Sequence, residues 1–109
     1  MPTVYKVLGQ SSPAATTATT LYTVPSATQA VISTITVCNQ AATSASYRIA
    51  VRPAGASLAA QHYVAYDIAI AANDTTALTL GIALSATDVV TVYAATANLS
   101  FSAFGSEIA

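Results

Sequence analysis

At 109 residues, with a formal net charge of −1 and charged side chains at only 6% of positions, the chain is long enough for one domain with its own core. Its three basic residues are too few to neutralise several phosphates at once, which excludes nucleic-acid binding through a basic footprint. The mean hydropathy of +0.59 does not amount to a membrane span, because Thr and Ser interrupt every apolar run before the roughly 18 consecutive residues a spanning helix needs.

Taken in order, the opening Met1-Pro2-Thr3-Val4-Tyr5-Lys6 lacks the basic and apolar regions of a signal peptide, so no secretion by that route is expected. Thr3 to Gln10 reads as a first strand, ended by Gly9 and then Ser11-Ser12-Pro13. Ala14 to Thr20 carries four Thr and no cap, a poor isolated helix, and is expected to be a loop or an edge crossing. Leu21-Tyr22-Thr23-Val24 is a short strand stopped by Pro25. Ala30 to Cys38 is rich in β-branched residues and free of Gly and Pro, which suits a pleated backbone. After the polar turn Asn39 to Ala45, Ser46 to Arg52 alternates strictly. Tyr47, Ile49 and Val51 share one face, and Ser46, Arg48, Ala50 and Arg52 the other. These two strands are predicted to form the centre of a β-sandwich.

Pro53-Ala54-Gly55-Ala56 breaks the pattern, and Ser57 to Gln61 has room for one helical turn. His62 to Ile70 is a strand with Val64, Tyr66, Ile68 and Ile70 on one face. Ala71-Ala72-Asn73-Asp74 turns into Thr75 to Leu84, a strand expected to send Leu78, Leu80, Ile82 and Leu84 inward. Val89 to Ala94 and Leu99 to Phe104 follow, the last closed by Gly105. Seven or eight strands at about ten-residue spacing predict an all-β chain. The expectation is a single antiparallel β-sandwich domain over 1–109, immunoglobulin-like or jelly-roll-like. One Cys and no Trp rule out the Cys…Trp…Cys signature of antibody domains.

Chemistry finds little support. Cys38 is the only cysteine, so no internal disulfide forms; at the end of an apolar strand it is expected to be a buried small hydrophobe. His62 is the only histidine and is expected to be exposed. It is the sole base for any serine nucleophile, and Asp67, five residues on, would face the other way in a regular strand. Asp67, Asp74, Asp88 and Glu107 are dispersed, short of a Ca²⁺ site or a carboxylate pair. The four glycines are isolated, so there is no phosphate loop. No catalytic, cofactor-binding or metal residue is predicted, and the chain is not expected to be an enzyme.

Ala, Thr and Ser account for 25, 16 and 11 residues, and they leave a bland surface that other protein can cover with little desolvation of charge. Much of the surface is therefore expected to be covered in a repeated assembly. By alternation Tyr47, Tyr66 and Tyr93 belong partly to the core, which leaves Tyr5, Tyr22 and Tyr63 as candidate protein-interface residues. Arg48 and Arg52 join them as directional contacts; the alternative is that either pairs with Asp67 on a neighbouring strand.

The motifs Tyr5-Lys6-Val7-Leu8-Gly9-Gln10, Leu21-Tyr22-Thr23-Val24-Pro25, Val31 to Asn39, and Tyr47-Arg48-Ile49-Ala50-Val51 carry a resemblance. So do Ala72-Asn73-Asp74-Thr75, Asp88 to Ala94 and Phe104-Gly105-Ser106-Glu107. Over nearly its whole length the chain resembles small virion structural proteins of tailed bacteriophages. The resemblance implies a non-enzymatic particle component present in many copies, located in a virion assembled in the host cytoplasm. A capsid decoration (cement) protein is the first expectation, with the major capsid protein or other virion proteins as partners and homo-oligomers within the particle. No cofactor, nucleic acid or membrane enters this reading. A tail, neck or fibre-attachment component is the alternative within the class, and a host-surface glycan-binding module the alternative outside it.

Overall fold

The computed structural model describes residues 3–109, in which the chain is built almost wholly of strands. They are β1 (Thr3–Ser11), β2 (Thr19–Thr23), β3 (Gln29–Asn39), β4 (Ala45–Arg52), β5 (Tyr63–Ile70), β6 (Thr75–Leu78), β7 (Ile82–Leu84), β8 (Val89–Ala94) and β9 (Leu99–Ile108). Short 3₁₀ turns at Pro53–Gly55 and Ala60–His62 lie between β4 and β5. Sheet one runs β1-β9-β3-β6, with β7 also paired to β3; sheet two runs β2-β8-β4-β5. Every pairing is antiparallel.

This strand order selects between the two expected sandwiches. An immunoglobulin domain keeps its first two strands in one sheet. Here the chain crosses sheets at nearly every connection, which is the double Greek key of a jelly roll. The count is nine because the single strand expected over Thr75 to Leu84 is interrupted. Gly81 adopts φ +62°, a left-handed conformation open to glycine, and this turns Leu80 out to solvent instead of into the core. The halves, β6 and β7, share one jelly-roll position along β3.

β3 is the spine of sheet one. Ala30 and Ile32 point inward, then Ile35, Val37 and Asn39; the phase changes at a bulge between Ile32 and Thr34. The bulge sits opposite Gly105, whose missing side chain is what lets the two backbones meet: a Cβ there would lie 1.9 Å from the Val31 carbonyl oxygen. In sheet two, Tyr47 and Ile49 of β4 are fully buried as its alternation predicts, while Val51 is half-buried and Ala50, on the Arg48 phase, is buried as well. The Tyr47 ring meets Phe101 of sheet one edge-on at 6.1 Å, joining the two layers.

β5 overturns the expected assignment of its faces. Ala65 and Ile70 enter the core, while Val64, Tyr66 and Ile68 face solvent, Tyr66 being 54% exposed. Asp67 sits at φ +51° where the register with β4 shifts between Ala65 and Ile68, and a second shift lies between Tyr63 and Ala65, so the strand bulges away from strict alternation. Period-two patterning shows which residues share a face; which face packs inward is set by the pairing with β4, where Ala65 lies opposite the buried Ile49.

Two buried polar groups have opposite fates. Asn39, almost wholly buried, donates from its amide to the carbonyls of Thr43 at 2.9 Å and Ala71 at 3.1 Å, and its Oδ1 accepts from the Ala41 N–H at 3.0 Å. Among the described residues the buried Tyr47 hydroxyl finds no partner. Removing the first network leaves several backbone groups unsatisfied, so Asn39→Ala is expected to lower unfolding free energy by about 3 kcal/mol. Removing the second group relieves a desolvation cost, and Tyr47→Phe is expected to raise stability by about 1 kcal/mol. Urea titrations of the two variants beside the parent chain check both signs.

Candidate functional site

The outward face of sheet two carries a cluster built by β4, β5 and β8. Alternation along β4 turns Arg48 outward, between Tyr66 on β5 and Tyr93 on β8. Its guanidinium carbon lies 4.2 Å from the Tyr66 ring centroid and 4.5 Å from that of Tyr93, both within cation–π range. The bulge at Asp67 aims its carboxylate at the same group: Nε–Oδ1 is 2.7 Å and Nη2–Oδ2 is 3.3 Å, a bidentate pair. That hydrogen-bonded carboxylate pushes the arginine's pKa further up, so the cation is permanent. Tyr63 meets Tyr66 edge-on, with centroids 4.9 Å apart. Leu58, Val64 and Ile68 are exposed around this group, and a cleft of about 650 Å³ is lined by Leu58, Ala59, Ala60, Tyr63 and Tyr66.

Of the residues proposed from sequence, Arg48 and Tyr63 belong to this cluster. The open alternative for Arg48, pairing with Asp67, is the one the structure takes. Arg52 is committed elsewhere: its Nε donates to Thr91 Oγ1 at 3.1 Å and its Nη1 to the Ala56 carbonyl at 3.0 Å, bracing the turn after β4. Tyr5 lies apart on β1 and is 83% exposed. Tyr22 corrects the expectation of exposure, being only 7% exposed. A bulge between Thr20 and Tyr22 in the β2–β8 pairing lets both Leu21 and Tyr22 turn inward, and the Tyr22 hydroxyl donates to the Glu107 carboxylate of the other sheet. Of the tyrosines that alternation places partly in the core, Tyr93 is half-buried as expected, whereas Tyr66 is exposed; both lie against Arg48. The sequence carried no separate signal for this aromatic pair, because Val64, Tyr66 and Ile68 read as an ordinary buried stripe of one strand.

The residues considered for chemistry are dispersed or occupied. His62 is 9% exposed rather than open to solvent, because its Nδ1 accepts the Ala59 N–H at 3.0 Å and closes the 3₁₀ turn over it. Asp67 is engaged by Arg48, on a different element from His62. Cys38 is half-buried on the outward phase of β3, not in the core, since the bulge after Ile32 gives the inward positions to Val37 and Asn39. Among the described residues no group of three His, Cys, Asp or Glu side chains comes together as a metal site.

One further polar cluster ties the layers together at the β1 edge. Lys6 Nζ lies 2.8 Å from Glu107, which also accepts from Tyr22. The lysine first, and then the tyrosine, hold the Glu107 carboxyl below its ordinary value of 4.5, while burial and then the carboxylate push the Tyr22 hydroxyl well above 10.0. A depressed carboxyl stabilises the fold above its unfolded value and loses that contribution as pH falls through the folded one. A raised phenol stabilises below 10.0 and loses it at higher pH. Stability is thus expected to hold across neutral pH, decline below about pH 4.5, and decline again above about pH 10. Thermal melts from pH 3 to 11 check this, and Glu107→Gln is expected to flatten the acid limb.

No protein-family model, curated protein or solved structure matches the chain.

Proposed function

We propose that this protein is a non-enzymatic structural subunit that docks the outer face of sheet two on another protein in a many-copy assembly. In its specific form it is a capsid decoration protein of a tailed bacteriophage. The observation that carries the reading is the Arg48 cluster: an arginine fixed between two tyrosines and one carboxylate, ringed by exposed apolar side chains, on a chain with 6% charged residues. Interface hot spots favour Tyr and Arg in apolar surroundings. Because the stacking and the ion pair already hold these side chains, little rotamer freedom remains to be lost on docking. Multivalency would then turn modest single contacts into firm attachment.

The same geometry weighs against the glycan-binding alternative. A sugar ring needs an open aromatic face, and Tyr66 has Arg48 over its ring and Tyr63 against it at 83°. Jelly rolls occur in viral capsid and lectin domains alike, so the fold supports a particle role only by analogy. The phage setting rests on the sequence resemblance, and tail or neck placement differs from shell placement in copy number alone.

Purified chain titrated onto undecorated capsid shells provides the test. Arg48→Ala and Tyr66→Ala are each expected to weaken single-site binding about tenfold or more, with Leu80→Ser, between β6 and β7 of the other sheet, unchanged. A cryo-EM map of the virion should show the protein spread over the shell. Density confined to one ring at neck or tail would move it to that location, and wild-type chain that ignores shells but binds a glycan array would replace the reading.

A further inference from the structure

We propose that β1 is the self-association edge of the molecule, pairing antiparallel with β1 of a second copy about a two-fold axis at Tyr5. Sandwiches have four sheet edges, and three of these are blunted in recognised ways. At the far edge of sheet one, β6 and β7 hold only four and three residues. In sheet two, β2 has five residues and a bulge between Thr20 and Tyr22, and β5 is bent by the left-handed Asp67. β1 is different. From Thr3 to Val7 it pairs with β9 in unbroken register, Thr3 with Ile108 through Val7 with Phe104, and its irregularity comes only afterwards.

β9 is the sole strand paired with this stretch among the described residues, so alternate N–H and C=O groups of Thr3 to Val7 point away with no ladder to join. Both of its faces are exposed, leaving Val4, Tyr5 and Val7 in water. The remaining guard of an open edge would be charge. Lys6 supplies the only one, and Glu107 of the same chain neutralises it at 2.8 Å. A second copy is the occupant that fits: two such edges bring no net charge together, and each offers exposed apolar residues and open N–H and C=O groups that those of the other can pair with. With the axis at Tyr5, all five residues are used. Val4 then faces the partner's Lys6, and Thr3 the partner's Val7. This inference does not depend on what the Arg48 face binds.

The full chain carrying Cys38→Ser, with Tyr5→Cys added, tests the pairing. Opposed residues in an antiparallel pair lie about 4.5–5.5 Å apart at Cα, within disulfide range. Mild oxidation is expected to give a covalent dimer, while Leu80→Cys in the same background, exposed on the far edge, stays monomeric. The Cys38→Ser chain itself should show dimer mass by light scattering as concentration rises, with amide exchange at Thr3 to Val7 slowing in step. A monomer at every concentration would overturn the proposal. So would a dimer in which Tyr5→Cys cross-links no better than Leu80→Cys, because the contact would then lie on another surface.

Discussion

A jelly roll carries its chain from one sheet to the other at almost every connection, and each crossing leaves backbone groups to satisfy at the ends of the sandwich. Asn39 meets that constraint where it is most severe. Its side chain stands in for a missing strand, binding carbonyls of the β3–β4 arch and the β5–β6 turn and the amide of Ala41. Backbone bonds extend the knot: the Asn39 N–H donates to Asp74, Asn73 to Ala41, and Gln40 to the carbonyl of Asn98 in the β8–β9 turn. Three connections are fastened around Asn39, two of them by its buried amide, at the end of the sandwich where β4 begins and β5 ends. The Arg48 cluster is built on those two strands and β8.

The scarcity of charge has the same physical logic. Each of the seven charged side chains has a partner within the chain. Lys6 pairs with Glu107 and Arg48 with Asp67. Arg52 braces the turn after β4, Asp74 accepts the Thr75 N–H, and Asp88 accepts from Ala54 and Ser85. Charge is thus used to fix connections and bulges, and solvation of the surface falls to Thr and Ser hydroxyls and to Ala. Such a surface has little mixed charge to hold copies apart. Covering it strips water from few ions.

Much of this was legible in the chain and some was not, for identifiable reasons. β3 and β4 follow from β-branched density and alternation, and the strict pattern of Tyr47, Ile49 and Arg48 predicted their faces. β5 misled because a period of two carries no sign: Val64, Tyr66 and Ile68 form a coherent stripe, and it is Ala65, paired with the buried Ile49 before the bulge at Asp67, that faces inward. Tyr22 misled because bulges are tertiary events, and one of them buries adjacent residues of the same strand. The outward position of Arg48 was legible from alternation, and its pairing with Asp67 was one of two readings the sequence left open. The aromatic half of its surroundings was hidden by the same reversal of faces that hid the site.

The two surfaces on this molecule also bear a definite spatial relation. β1 lies at the edge beside β2, while Tyr63 and Tyr66 belong to β5, the last strand at the opposite edge of sheet two. Either can be occupied without obstructing the other. In a continuous antiparallel sheet the two-fold between neighbouring strands stands perpendicular to the sheet, so it rotates a molecule without turning it over. Two copies joined through β1 would therefore present their second sheets on the same side, with both Arg48 clusters facing one way. A pair built like that meets a flat protein surface at two points, and once the first engages, the second binds at the high effective concentration its tether imposes. Association face to face would set the two clusters against each other; pairing through a strand edge would set them side by side, as the proposed docking on a shell needs.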